Sequence, residues 1–116
     1  MQSPEPYREE RPWGEFVEFT HNAPSTVKII TVNAGQEFSL QTHHKREEFW
    51  HIISGDGTII IGDKSIPIKK GDNDFIPKET PHRIQAGASN VVVLEVSFGD
   101  FDEKDITRLE DKYGRT

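Results

Sequence analysis

An all-β fold, a small barrel or sandwich of short strands, is what this sequence predicts, and three observations carry that reading. The segments Glu15–Phe19, Thr26–Val32, Phe38–Thr42, Phe49–Ser54, Thr58–Ile61 and Val91–Phe98 are rich in Val, Ile, Thr and Phe, whose branched or planar side chains suit a pleated surface. Turn residues separate them at close intervals, at Asn33-Ala34-Gly35, Gly55-Asp56-Gly57, Gly62-Asp63 and Gly71-Asp72-Asn73. Only the C-terminus departs from this pattern.

Taken in order, residues 1–12, with Pro4, Pro6 and Pro12, read as an extended N-terminal arm on a single domain spanning 1–116. Between Thr26 and Val32 the alternation sets Lys28, Ile30 and Val32 on one face and Val27, Ile29 and Thr31 on the other. Phe38–Thr42 and Phe49–Ser54 are expected to pair as a hairpin across the polar stretch His44-Lys45-Arg46-Glu47. Asp56-Gly57 is a second hairpin signal. The run Val91 to Val96 is apolar except for Glu95. From about Asp105 to Lys112, Ile106 and Leu109 recur at helical spacing, with Asp102 or Asp105 as cap and Gly114 as stop, which predicts a short C-terminal helix.

Composition narrows the function. A chain of 116 residues is the size of one domain and can bury a core without covalent staples. It has no cysteine, which excludes disulfides, thiolate metal sites, iron–sulfur clusters and cysteine nucleophiles. With 20 acidic against 14 basic residues and a net charge of −6, it has no basic run to exchange for counterions on DNA or RNA, so no nucleic-acid partner is expected. The opening Met-Gln-Ser-Pro-Glu-Pro shows no signal-peptide pattern, and Val91–Leu94 is too short to approach a membrane span. These features predict a soluble, cytoplasmic protein.

One constellation carries chemistry. Gln41 and His43 are two residues apart, so on a strand both project from the same face. Glu48 shares a face with Trp50 and Ile52 on the returning segment, and His82 stands at another strand entry after Ile76-Pro77-Lys78-Glu79-Thr80-Pro81. Amide, imidazole and carboxylate together suit a divalent ion of the Mn, Fe, Co, Ni or Zn group. With three or four protein ligands, coordination positions stay open for catalysis.

On these residues the sequence resembles the cupin superfamily. The first cupin motif, G-x5-H-x-H-x3-4-E-x6-G, is met by Gly35, five residues, Gln41-Thr42-His43, four residues, Glu48, six residues and Gly55. The second, G-x5-P-x-G-x2-H-x3-N, is met by Gly71, five residues, Pro77-Lys78-Glu79, two residues, His82, three residues and Ala86. Gln41 stands for a histidine, Glu79 for a turn glycine and Ala86 for an asparagine.

A narrower resemblance accounts for Gln41. The chain is similar to the type II phosphomannose isomerase family, including the C-terminal domain of bifunctional enzymes that also carry a mannose-1-phosphate guanylyltransferase. Arg11-Pro12-Trp13-Gly14, Ser39-Leu40-Gln41-Thr42-His43, Arg46-Glu47-Glu48-Phe49-Trp50, Ile76-Pro77, His82-Arg83, Glu95-Val96, and Asp105-Ile106-Thr107-Arg108 through Asp111-Lys112-Tyr113-Gly114-Arg115 carry it. Departures fall at Phe49, Ser97 and Ala86, and nothing corresponds to a nucleotidyltransferase domain.

The resemblance implies a cupin double-stranded β-helix, or jelly-roll barrel. One divalent metal would sit on Gln41, His43, Glu48 and His82, and the activity would interconvert mannose 6-phosphate and fructose 6-phosphate. A general base is then required, and Glu95, a carboxylate set among apolar residues, is the candidate, with Lys28 as the second. Arg46, Arg108 and Arg115 are candidate phosphate contacts, because arginine suits bidentate phosphate recognition. Ser97 is a candidate cavity residue on the strand of Glu95. A homodimer is expected by analogy alone. The rival readings are a non-catalytic metal-binding cupin module for a sugar or sugar phosphate, and a cupin dioxygenase.

Overall fold

A computed structural model describes residues 6–99, 102 and 104–114. Eleven strands form among them: β1 (Tyr7–Arg11), β2 (Gly14–Glu18), β3 (Ser25–Val32), β4 (Leu40–Thr42), β5 (Arg46–Ser54), β6 (Gly57–Ile61), β7 (Lys64–Ile68), β8 (Asn73–Ile76), β9 (His82–Ala86), β10 (Val91–Gly99) and β11 (Thr107–Glu110). One sheet has the order β3-β10-β5-β8 and the facing sheet β11-β4-β9-β6-β7, while β1 and β2 pair as a separate hairpin. All pairings are antiparallel. From β3 onward the chain alternates between the two sheets, except at the β6–β7 hairpin, so sequence neighbours face each other across the core.

The core lies between the sheets. Trp50, Ile52, Ile59, Ile76, Ile84, Val91 and Val93 are fully buried there, contributed alternately by the two layers. On β3 the expected alternation holds, with Lys28, Ile30 and Val32 inward and Val27, Ile29 and Thr31 outward. No helix among the described residues is long and apolar enough to cross a membrane.

Three local expectations are corrected. The predicted hairpin between Phe38–Thr42 and Phe49–Ser54 does not form, because β4 and β5 belong to opposite sheets. A three-residue strand offers few ladder bonds, whereas the nine-residue β10 pairs with β5 from Arg46 to Ser54. Gly55-Asp56 likewise carries the chain from β5 across to β6 in the other sheet, and the tight two-residue turn is Gly62-Asp63, joining Ile61 to Lys64. The predicted C-terminal helix is replaced by β11, which pairs with β4. A segment of that length gains little as an isolated helix, while the open edge of β4 offers it a ladder. Leu109, expected on a buried helical stripe, is exposed.

Of the arm, residues 1–5 lie outside the described residues, and Tyr7–Arg11 pairs with β2. Trp13 at the turn of that hairpin is 74% exposed and belongs to no core.

The glycines of the two motifs serve the corners. Gly55 (φ +102) lies against the β9–β10 connection: a Cβ there would sit 2.1 Å from the Asn90 carbonyl oxygen and 2.8 Å from the Val91 Cα. Gly71 (φ +92) has the same left-handed backbone but open space around it. Gly71→Ala is therefore expected to cost only backbone strain, about 1 kcal/mol. Gly55→Ala adds a backbone collision and should cost roughly 2 kcal/mol or more. Urea unfolding of the two variants checks this, and equal losses would contradict it.

Candidate metal centre

The centre is assembled from both sheets. His43 follows the last residue of β4, Glu48 is the third residue of β5, and His82 opens β9. Their exposures are 2%, 2% and 1%. The three can each aim one ligand atom at a common point, with those atoms all within 4.8 Å of one another.

The hydrogen bonds behind the rings fix what they present. His43 Nδ1 lies 2.6 Å from the carbonyl oxygen of Asp105, and His82 Nδ1 lies 2.8 Å from that of Thr80. A carbonyl only accepts, so each Nδ1 carries the proton and donates it. In a neutral ring each Nε2 is then a bare lone pair directed inward, the tautomer that metal-ligating histidines adopt. His82 Nε2 stands 3.3 Å from Glu48 Oε1, and His43 Nε2 stands 3.9 Å from Glu48 Oε2. Neither His82 Nε2 nor Glu48 Oε1 has a hydrogen-bond partner among the described residues, though both are buried. Two acceptors facing each other without a hydrogen are costly to bury, and a divalent cation between them resolves that cost. The residues present therefore fit a metal of the imidazole-and-carboxylate class.

Gln41 lies on the same row. It is the Cα partner of His82 across β4–β9 and of Arg108 across β4–β11. Directly paired residues project from one face of a sheet, so Arg108, Gln41 and His82 form a line along the inner face. Ser39, itself buried, donates from Oγ to Gln41 Oε1 at 2.8 Å.

Arg46 is 6% exposed and lies beside the ligands. Its Nε approaches Glu48 Oε2 at 3.4 Å, one terminal nitrogen lies 3.3 Å from His43 Nε2, and the other donates to the Asp102 carbonyl at 3.0 Å. Burial pushes the His43 pKa down, favouring the neutral ring. At Glu48 burial acts upward, but the hydrogen bond and charge that His82 supplies when its ring is protonated, with the charges of His43 and Arg46, outweigh it, and the net shift is downward.

One layer along, Glu95 is 6% exposed and faces the interior. It is paired with Lys28 on β3 and Trp50 on β5, and Trp50 Nε1 donates to its Oε2 at 3.3 Å. Burial, and then the charge of Glu48, raise the Glu95 pKa to about 7. Ser97, paired with Glu48, places Oγ 3.5 Å from Glu48 Oε2, so it touches a candidate ligand. Lys28 is half-buried on the inner face of β3. Arg115 lies outside the described residues.

Sequence reasoning missed four contributors: Asp105 and Thr80, which act through backbone carbonyls, Trp50 as the donor to Glu95, and Ser39 as the donor to Gln41. A backbone carbonyl leaves no trace in residue identity. Ser39 and Asp105, however, both lie inside the quoted motif stretches.

Residues 5–111 match the family described as "Mannose-6-phosphate isomerase C-terminal". The alginate biosynthesis protein AlgA of Pseudomonas aeruginosa is 38% identical over 91% of this chain and 22% of its own length. The mannose-1-phosphate guanylyltransferase of Escherichia coli is 36% identical over 90% of this chain and 23% of its own length. The chain thus spans less than a quarter of these relatives. A cupin protein from Bacteroides fragilis superimposes with a TM-score of 0.60 at 24% identity, over 70% of this chain and 74% of its own. The fold is a cupin jelly roll.

A metal that binds only the folded centre must stabilise it. At free ion a hundredfold above Kd the gain is about 2.7 kcal/mol. Calorimetry with excess Mn, Co or Zn against a chelator is expected to show a raised Tm, and His82→Ala should abolish the difference. An equal Tm with and without ion in the unaltered chain would contradict the assignment.

Proposed function

The chain belongs to the mannose-6-phosphate isomerase C-terminal family, and on that basis we propose that it interconverts mannose 6-phosphate and fructose 6-phosphate. The observation that carries the proposal is the buried Glu95 carboxylate, on the same inner face as Glu48 and one paired position along β10. The reaction moves a proton between C1 and C2 of the open-chain sugar through an enediol. It therefore needs a base at carbon and positive charge at the two oxygens.

Glu95 is that base. Burial raises its proton affinity toward the range useful near neutral pH, and the Trp50 indole N–H holds one carboxylate oxygen in place. Lys28, its partner across β3–β10, offers a cation on the same face. His43, Glu48 and His82, with Gln41 as the fourth residue, would hold the divalent ion, which would supply Lewis-acid charge for the sugar oxygens. Arg108, next to Gln41 in the inner row, is the phosphate contact among the described residues. Arg46, engaged with His43, Glu48 and the Asp102 carbonyl, balances charge at the centre.

A second reading is a module that binds the sugar phosphate without turning it over. It is favoured by Ser97, a departure from the family pattern whose Oγ stands 3.5 Å from Glu48 Oε2. A reducing cytoplasm suits a chain without cysteine, and we place the reaction there.

We further propose that the protein works as a homodimer. The outer face of β3-β10-β5 presents Val27, Ile29, Val92, Leu94 and Ile53, with Val27 and Ile29 53% and 59% exposed. The run Val91–Leu94 reads as a strand buried on both faces, yet one copy buries only one. That block carries no Asp, Glu, Lys or Arg, so two chains of net charge −6 can meet there without like-charge contact.

The purified chain is expected to convert mannose 6-phosphate to fructose 6-phosphate with Mn, Co or Zn. Glu95→Gln should lower kcat by about 10²- to 10⁴-fold while keeping the ion-dependent rise in Tm. Saturable sugar-phosphate binding without turnover would support the second reading instead. Sedimentation is expected to show a dimer that Ile29→Glu dissociates, and a monomeric unaltered chain would overturn the dimer.

A further inference from the structure

Asp102 and Asp105, between β10 and β11, carry groups bonded to the loop after His43, to the His43 ring and to Arg46. Asp105 accepts His43 Nδ1–H on its carbonyl oxygen at 2.6 Å. With its carboxylate it accepts the backbone N–H of His44 on Oδ1 and of Lys45 on Oδ2, each at 2.9 Å. The turn behind it is closed by Asp105 N–H donating to the Asp102 carbonyl at 2.9 Å, the same oxygen that takes the Arg46 guanidinium at 3.0 Å. One residue thus grips the loop after His43 through its side chain and the His43 ring through its main chain.

We propose that Asp105 is a positioning residue that fixes the tautomer of His43 and thereby the affinity of the centre for its metal. The reading rests on the metal assignment above, but the clamp itself is a property of the metal-free chain. The Asp105 carbonyl at Nδ1 and the donor-only Arg46 guanidinium nitrogen at Nε2, the latter at 3.3 Å, together keep the His43 Nε2 lone pair inward. That acceptor belongs to a connecting segment with no sheet partner of its own at residue 105. What holds the carbonyl in place is the carboxylate, bonded to the two residues that follow His43. Removing the carboxylate leaves the carbonyl in the chain but frees it from the loop. A hydrogen-bond acceptor behind a ligating imidazole is worth about tenfold to a hundredfold in metal affinity.

His82 is an internal control. Its Nδ1–H goes to the Thr80 carbonyl, two residues away on its own segment, and is untouched by Asp105.

The test uses the full chain in two measurements. In metal-free protein, nitrogen-15 spectra of the imidazoles are expected to show both His43 and His82 protonated at Nδ1. Asp105→Ala should shift His43 toward the Nε2–H tautomer and leave His82 unchanged, and Asp105→Asn, which keeps one oxygen for one N–H, should fall between. Titration with Co²⁺ alone is expected to give an affinity about 10- to 100-fold weaker in Asp105→Ala, with a smaller loss in Asp105→Asn. An unchanged His43 tautomer and unchanged Co²⁺ affinity in folded Asp105→Ala would overturn the proposal. A wild-type chain that takes up no Co²⁺, with the tautomer shift still present in the variant, would sink the metal reading and leave the clamp standing. If Asp105→Ala does not fold, Asp105→Asn decides on the same two readouts.

Discussion

Two imidazoles whose outer nitrogens are already committed to backbone carbonyls turn their inner nitrogens toward a buried carboxylate, and the rest of the architecture follows from holding them there. His43, Glu48 and His82 come from strands in opposite sheets, so the triad exists only when the sheets face each other. The interior does not relieve the arrangement, since His82 Nε2 and Glu48 Oε1 remain unpaired among the described residues. A protein gains no stability from such an arrangement alone, because desolvated acceptors oppose folding. Its sense lies in a cation that all three accept.

Around this point the charges are layered. The Arg46 guanidinium, a permanent cation 3.4 Å from Glu48 Oε2, favours the ionised Glu48, while burial and the nearby Glu48 raise the proton affinity of Glu95. Two carboxylates on adjacent strands are thereby driven apart in acidity. One favours the anion, which suits a metal, and the other holds its proton to higher pH, the kind of divergence that can separate a ligand from a base. Glu95 lies nearly buried between Lys28 on β3 and Trp50 on β5.

Much of this was legible in the sequence, and the reasons differ by element. The strand segments announced themselves through branched residues and turns, and Lys28 was placed inward by alternation alone. The match to the two cupin motifs pointed to His43, Glu48 and His82, which the structure gathers across the two sheets although the hairpin expected between β4 and β5 does not form. Strand partners were not legible. Local turn signals suggested hairpins at His44–Glu47 and Asp56-Gly57, but the long strands β5 and β10 pair with each other and draw β4 and β6 into the facing sheet. The helix expected near Ile106 gave way to β11 because an open strand edge lay beside it. Glu79 stands where the motif has glycine, and its φ of +59° shows why glycine is common there. The part played by the Asp105 and Thr80 carbonyls was not legible, because a backbone oxygen leaves no mark on residue identity, even though Asp105 lies within a motif stretch.

The central claim is that one divalent ion is held by two imidazoles and a carboxylate in the space between the sheets. X-ray absorption at the metal edge of the cobalt-loaded chain tests it most directly. The account predicts a stoichiometric ion in a nitrogen and oxygen environment, with the multiple-scattering signature of two histidine rings. An ion without imidazole scattering, or with that of one ring only, would contradict it.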